Sequence, residues 1–145
     1  MPANHRLGQR VSRLARIMQV RLEGDLAPLG LTRLGALVLS GIGDDGLIAP
    51  SELADHAGIT RPALSRLLRG LEERGLITRT AGQAEDGRQT AVALTPEGAA
   101  ALVRVRAAFD ALQDHFTAKL TPEALAALSA MLDTLAAGEP APTAY

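Results

Sequence analysis

Two glycines, Gly58 and Gly75, restrict what this chain can build more than any other feature. They divide the stretch PSELADHAGITRPALSRLLRGLEERGLI, which is rich in helix formers, into two unequal helices. Ser51 is expected to open the first, SELADHA, and Gly58 to close it. Thr60 is expected to cap the second, with Pro62 in the first turn, where its missing N–H costs nothing. Leu64, Leu67, Leu68 and Leu71 supply the buried face, and Gly75 ends the helix. Two short helices joined around a glycine, the second longer and bearing arginines, form a helix-turn-helix. The runs LITRT (76–80) and QTAVAL (89–94) then read as two strands, with Val92 and Leu94 facing one way. The connection 81–88 carries Asp86, Gly87 and Arg88 at its tip. A helix-turn-helix followed at once by a hairpin is a winged helix.

The flanks are helical. Leu7, Val11, Leu14, Met18 and Leu22 recur at spacings of four and three, predicting a helix over 7–26 beside a basic stripe of Arg6, Arg10 and Arg13. PLGL at 28–31 breaks it, and Thr32 caps a second helix through Leu34, Leu37, Val38 and Ile42. GDDG at 43–46 is a turn, and Leu47-Ile48-Ala49 reads as a minimal strand. Thr95-Pro96-Glu97 and Thr121-Pro122-Glu123 each place a cap, a first-turn proline and an acid at a helix start. The registers that follow are Leu102, Val105, Phe109, Leu112, Phe116 and then Leu125, Leu128, Leu132, Leu135. Aromatics are only 2% of the chain, so its core is built of Leu, Val, Ile and Ala.

These terminal stripes exceed what one winged-helix core needs to cover it, which predicts a two-fold dimer joined through the first, fifth and sixth helices. The fold expected is mainly α with a small β wing. A single domain is expected over 1–145, with its winged helix-turn-helix core at 32–95, its dimerisation helices at 5–27 and 96–137, and a disordered tail at 138–145.

Net charge is −1, yet residues 41–59 hold four acids and no base, whereas residues 60–90 hold six arginines against four acids. Fourteen of the fifteen bases are arginine, which favours planar, bidentate contacts to phosphate or carboxylate. The absence of cysteine excludes disulfides and thiolate metal sites. No run approaches the ~20 apolar residues of a membrane span, and the N-terminus MPANHRLGQR is polar, so a cytoplasmic location is expected. His5, His56 and His115 are scattered, and no nucleophile–base spacing or phosphate-cradling loop occurs. Neither an enzyme nor a cofactor is expected.

The order of elements resembles the MarR family of transcriptional regulators over roughly Leu7 to Leu135. The markers are LTRLGALVL (31–39), SELADHAGITRPALSRLLRGLEERGLITR (51–79) and DGRQTAVALTPEG (86–98). The family's Asp-x-Arg wing is matched by Asp86 and Arg88, and its Leu-Thr-x-x-Gly closure by Leu94, Thr95 and Gly98. The chain departs from the family's frequent second wing arginine at Gly87. The resemblance implies a homodimer that binds double-stranded DNA at a pseudo-palindromic operator, more often as a repressor, and that responds to a small molecule such as an aromatic acid. A metal-responsive regulator of the same fold and a winged helix used for protein contacts are the alternatives.

A recognition helix in the major groove reaches base edges with its N-terminal side chains. The DNA-binding residues expected are Thr60, Arg61, Pro62, Ala63, Ser65, Arg66 and Arg69. Glu72 or Glu73 would otherwise pair with these arginines along the helix. Arg88 is expected to enter the minor groove at the wing tip, braced by Asp86. For an effector carboxylate the candidates are Arg10, Arg13 and Arg16, with Met18 and Leu34 as an apolar wall.

Overall fold

The computed structural model describes residues 6–81 and 90–141. Six helices and one hairpin follow in chain order: α1 (Leu7–Leu26), a 3₁₀ turn (Ala27–Leu29), α2 (Arg33–Gly43), α3 (Pro50–Ala57), α4 (Arg61–Glu73), β1 (Ile77–Ala81), β2 (Thr90–Leu94), α5 (Pro96–Thr117) and α6 (Pro122–Ala136). Four threonines start four helices in the same way. The hydroxyls of Thr32, Thr60, Thr95 and Thr121 accept from the amides of Gly35, Ala63, Gly98 and Ala124 at 3.0–3.2 Å. A cap of this kind stabilises a helix by about 1 kcal/mol.

The core is aliphatic throughout. Leu26, Val38, Leu39, Leu53, Leu64, Leu68, Ile77, Val92 and Val105 are the largest side chains removed from solvent, and among the described residues no polar side chain is buried with them. They come from α1 to α5 and both strands, and none comes from the 3₁₀ turn or α6. β1 and β2 pair antiparallel, with Ile77 opposite Leu94 and Arg79 opposite Val92. Val92 points into the core while Ala93 faces solvent, the alternation that the sequence predicts.

Two local expectations are corrected. Residues 47–49 are not a strand: the Val92 amide donates to the Ile48 carbonyl at 2.9 Å, and this one bond docks an extended segment beside the hairpin without a ladder. The helix expected to open at Ser51 instead begins at Pro50, behind Ala49. Pro50 supplies the helical φ without needing an N–H partner, and the Glu52 carboxylate accepts from the Ala49 amide at 3.4 Å, so a serine cap is not required.

α5 is the spine. Its Leu102, Val105 and Ala108 are buried, and it packs against α1 and α2. Arg106 on α5 pairs with Asp44 at the end of α2, and that hydrogen bond holds the Asp44 carboxyl below its ordinary value against the opposing effect of burial. The first turn of α5 lies hard against the end of α4. Thr95 donates its amide to the Leu76 carbonyl at 3.1 Å and its hydroxyl to the Gly75 carbonyl at 2.6 Å. Gly98 faces the same Leu76 carbonyl, and a Cβ there would overlap it.

α6 buries none of its residues, and Leu128, Met131, Leu132 and Leu135 are exposed along it. The stripe predicted on α1 divides in two: Leu22 is buried and Met18 half-buried, while Leu7, Val11 and Leu14 remain about half exposed, at 46–59%.

Gly98→Ala is therefore expected to destabilise the fold by about 1–3 kcal/mol, because the new methyl meets backbone that cannot yield. Gly24→Ala, on α1 with open space around it, is expected to stabilise by roughly 0.5–1 kcal/mol. Urea unfolding of the two variants beside the parent measures both. For the ion pair the expectation concerns pH. A carboxyl with a lowered folded pKa adds stability above its unfolded value of about 4 and loses it as pH falls through the folded one. Asp44→Asn should thus melt below the parent at neutral pH and converge with it in acid, as thermal melts across pH read directly.

Candidate nucleic-acid interface

α3 and α4 are joined by Gly58, whose φ of 68° lets the chain turn between them. α4 is sharply two-sided. Leu64, Leu68 and Leu71 point into the core, while Arg61, Pro62, Ser65, Arg66 and Arg69 lie on the exposed face and Thr60 and Ala63 at its half-buried edge. All seven residues expected at a groove thus gather on the N-terminal two-thirds of one helix. Thr60 has a second duty there, since its hydroxyl is engaged in the cap at 3.2 Å.

Among the described residues, Arg61, Arg66 and Arg69 form no ion pair, so the alternative of pairing with Glu72 or Glu73 does not occur. Glu72 turns instead to β1, where the Arg79 guanidinium donates to it at 3.1 Å and holds its carboxyl below the ordinary range. Arg79 thereby ties the hairpin stem to the recognition helix. Arg74, the C-cap residue of α4, donates to the carbonyls of Gly30 and Leu29 at 2.6 and 2.9 Å. The role of Arg74 is not readable from a linear sequence, because 44 or 45 residues separate it from its partners.

β1 and β2 form the stem of the wing beside α4. Asp86 and Arg88, the expected wing-tip contacts, lie outside the described residues.

The five residues expected around an effector do not share one site. Arg10 and Arg13 line a hollow of ≈ 300 Å³ on α1 with Gln9, Leu14 and Ile17. Arg16 pairs with Glu23 at 3.4 Å. Met18 belongs to a second hollow of ≈ 360 Å³, where Leu22, Leu37, Phe109 and Leu112 form an apolar wall and Arg33 provides a cation. Leu34 sits half-buried on α2. Along α1, Arg10, Arg13, Leu14 and Ile17 line the first hollow, whereas Met18, Gln19 and Leu22 line the second, so the expected set is divided between two surfaces of one helix. Arg33 escaped the sequence reading because it stands next to the cap of α2, where a charged residue needs no further explanation.

Among the described residues no three His, Cys, Asp or Glu side chains gather as metal ligands, and no single helix is long and apolar enough to cross a membrane.

Comparison with known proteins gives this geometry a family. Residues 29–89, which run from the end of the 3₁₀ turn past β1 and stop just before β2, match the sequence model of the MarR family. The HTH-type transcriptional repressor Rv2887 of Mycobacterium tuberculosis is 30% identical over 129 residues, covering 89% of this chain and 92% of that protein. Its crystal structure as a MarR family protein in complex with p-aminosalicylic acid superposes with a TM-score of 0.70 over 91% of this chain and 99% of that one, at 30% identity. A mutant of MarR from E. coli complexed with operator DNA gives a TM-score of 0.80 at 28% identity, covering 89% of this chain and 92% of that one. With the helix-turn-helix, the wing stem and both flanking helical regions all matched, this chain belongs to the MarR family.

Proposed function

We propose that this chain is a transcriptional repressor that binds a pseudo-palindromic operator as a homodimer and answers to a small aromatic acid. One observation carries the reading: a two-sided α4 whose exposed face holds three arginines without acidic partners among the described residues, next to the stem of a wing. A helix of this kind enters the major groove with its N-terminal residues toward base edges. In the proposed complex Arg61 and Arg66 meet guanine edges or phosphates, Ser65 meets a phosphate or base, Pro62 and Ala63 meet thymine methyls, Thr60 stands at the groove's rim and Arg69 meets the backbone. Arg88 enters the minor groove and Asp86 braces it. The relatives carry the names of repressors and regulators rather than enzymes, and this chain is assigned no catalysis. Residues 32–95 form the DNA-binding core.

Dimerisation through 5–27 and 96–137 is supported by the exposed apolar residues of α1 and α6, which one subunit leaves in water. The effector class is supported by Rv2887, whose structures hold p-aminosalicylic and salicylic acid. Here the hollow lined by Met18, Leu37, Phe109 and Arg33 offers an apolar wall with one guanidinium at its edge, which suits an aromatic carboxylate. The hollow at Arg10 and Arg13 is a second basic site of the same kind.

Selection of DNA from a random pool tests the central reading. Arg66→Ala should change the selected motif at one position per half-site, a discrimination of ~1–3 kcal/mol. Arg88→Ala should weaken operator binding more than Asp86→Ala, and the double variant should add nothing to the arginine loss, since Asp86 then has nothing to hold. An unchanged motif and unchanged affinity in these variants would overturn the interface. A separate measurement addresses assembly: light scattering should give a dimer at micromolar concentration, and truncation before Thr121 should abolish it.

A further inference from the structure

We infer that Arg74 is a positioning residue that locks the recognition helix to the connector between α1 and α2, and so fixes the spacing at which two α4 helices meet a duplex. The inference rests on the dimeric DNA-binding reading above and concerns its geometry. The connector is a 3₁₀ turn, Ala27–Leu29, ended by Gly30 with a φ of 69°. Its amides are satisfied locally: Gly30 donates to the Ala27 carbonyl at 2.9 Å and Leu31 to the Leu26 carbonyl at 3.4 Å. The carbonyls of Leu29 and Gly30 receive no backbone donor among the described residues. One guanidinium serves both, Arg74 Nη1 reaching Gly30 at 2.6 Å and Nη2 reaching Leu29 at 2.9 Å. A planar fork with two donors at a fixed separation suits two adjacent carbonyls, and an ammonium does not.

The position of this clamp gives it consequence. Arg74 is the last turn of α4, held in place because Gly75 takes a φ of 74° and the Leu76 amide closes back on the Leu71 carbonyl at 3.0 Å. At the other side of the bond, the connector continues directly into α1, which bears the exposed stripe Leu7, Val11, Leu14 and Ile17. Between the two, α4 and the start of α2 do not pack closely: a hollow of ≈ 220 Å³ opens there, lined by Thr32, Gly35, Arg66, Leu67 and Gly70. A helix alongside such a gap has room to tilt. Arg74 fastens its far end to the element that leads to the partner subunit, so two charge-assisted hydrogen bonds add to the packing of Leu64, Leu68 and Leu71 in setting the angle between α4 and the dimer axis.

Affinity for operators of varied half-site spacing tests this, for the full-length parent, Arg74→Ala and Arg74→Lys, at several salt concentrations and alongside thermal melts and hydrogen exchange without DNA. The parent should prefer one spacing over spacings one base pair longer or shorter. Arg74→Ala should lose about tenfold in affinity at the preferred spacing and little at the others, flattening the preference. Arg74→Lys should fall between them. Amides of residues 27–31 should exchange faster in Arg74→Ala while the dimer mass stays that of the parent. An equal loss at every spacing, with a salt slope reduced by about one charge, would make Arg74 a phosphate contact and overturn the inference. A lowered melting temperature with the spacing preference intact would overturn it in favour of a merely structural bond. Absence of any spacing preference in the parent would instead sink the dimeric reading on which the inference stands, and the exchange measurement would still report the clamp.

Discussion

The carbonyl of Leu76 is the point at which the DNA-facing half of the molecule closes on its spine. Thr95 donates to it at 3.1 Å, and Gly98 stands so near that no side chain fits between. Thr95 also accepts from the Gly98 amide and donates to the Gly75 carbonyl, so one hydroxyl caps α5 and ties it to the end of α4. Four residues, Gly75, Leu76, Thr95 and Gly98, thereby join the recognition helix, both hairpin strands and α5. Because the contact is backbone against backbone, it has no rotamer to relax into. A change in the direction of α5 reaches α4 and the wing stem together.

The arginines divide according to what they find nearby. Arg79 meets Glu72, Arg106 meets Asp44, Arg16 meets Glu23, and Arg74 meets two carbonyls. Exposed pairs of this sort add little stability each, but they fix the relative placement of α2, α4, β1 and α5. Arg61, Arg66 and Arg69 are among those without an acidic partner in the described residues, and they share the exposed face of α4. A net charge near zero is therefore compatible with a strongly basic surface, because the acids that balance the sum are spent elsewhere in the fold or stand in the 41–59 segment. Local assignment of charge, not its total, prepares this surface for a polyanion.

The fold was largely legible because its punctuation is local. Thr-Pro starts, glycines at helix ends and three–four apolar spacing act within a few residues, and α1, α2, α4, β2 and α5 follow them closely. The exposed face of α4 was legible for the same reason: once Leu64, Leu68 and Leu71 are assigned to the core, helical geometry places Arg61, Ser65, Arg66 and Arg69 opposite. What stayed hidden depends on tertiary placement. The pairing of Glu72 with Arg79, the reach of Arg74 to Gly30 and the placement of Arg10 and Arg13 on one hollow but Met18 on another all require knowing which elements meet. The supposed strand at 47–49 failed on similar grounds, since a strand exists only by virtue of its partner, and here the partner offers a single bond. Pro50 displaced Ser51 because a proline at the first helical position and a returning glutamate do the work of a cap.

α6 contributes nothing to the buried core of its own subunit. On the dimer reading, the free energy of burying it is realised only by encounter, which makes the cellular concentration of the protein part of its stability. Dilution then favours not merely separate subunits but subunits with an unsheltered helix, exposed to proteases and to aggregation. Mixed pairing follows from the same surface. A copy whose α4 is damaged keeps an intact α6 and competes for sound partners, so a lesion in the DNA-facing half would spread its effect through the pool, whereas a lesion in α6 would silence only itself.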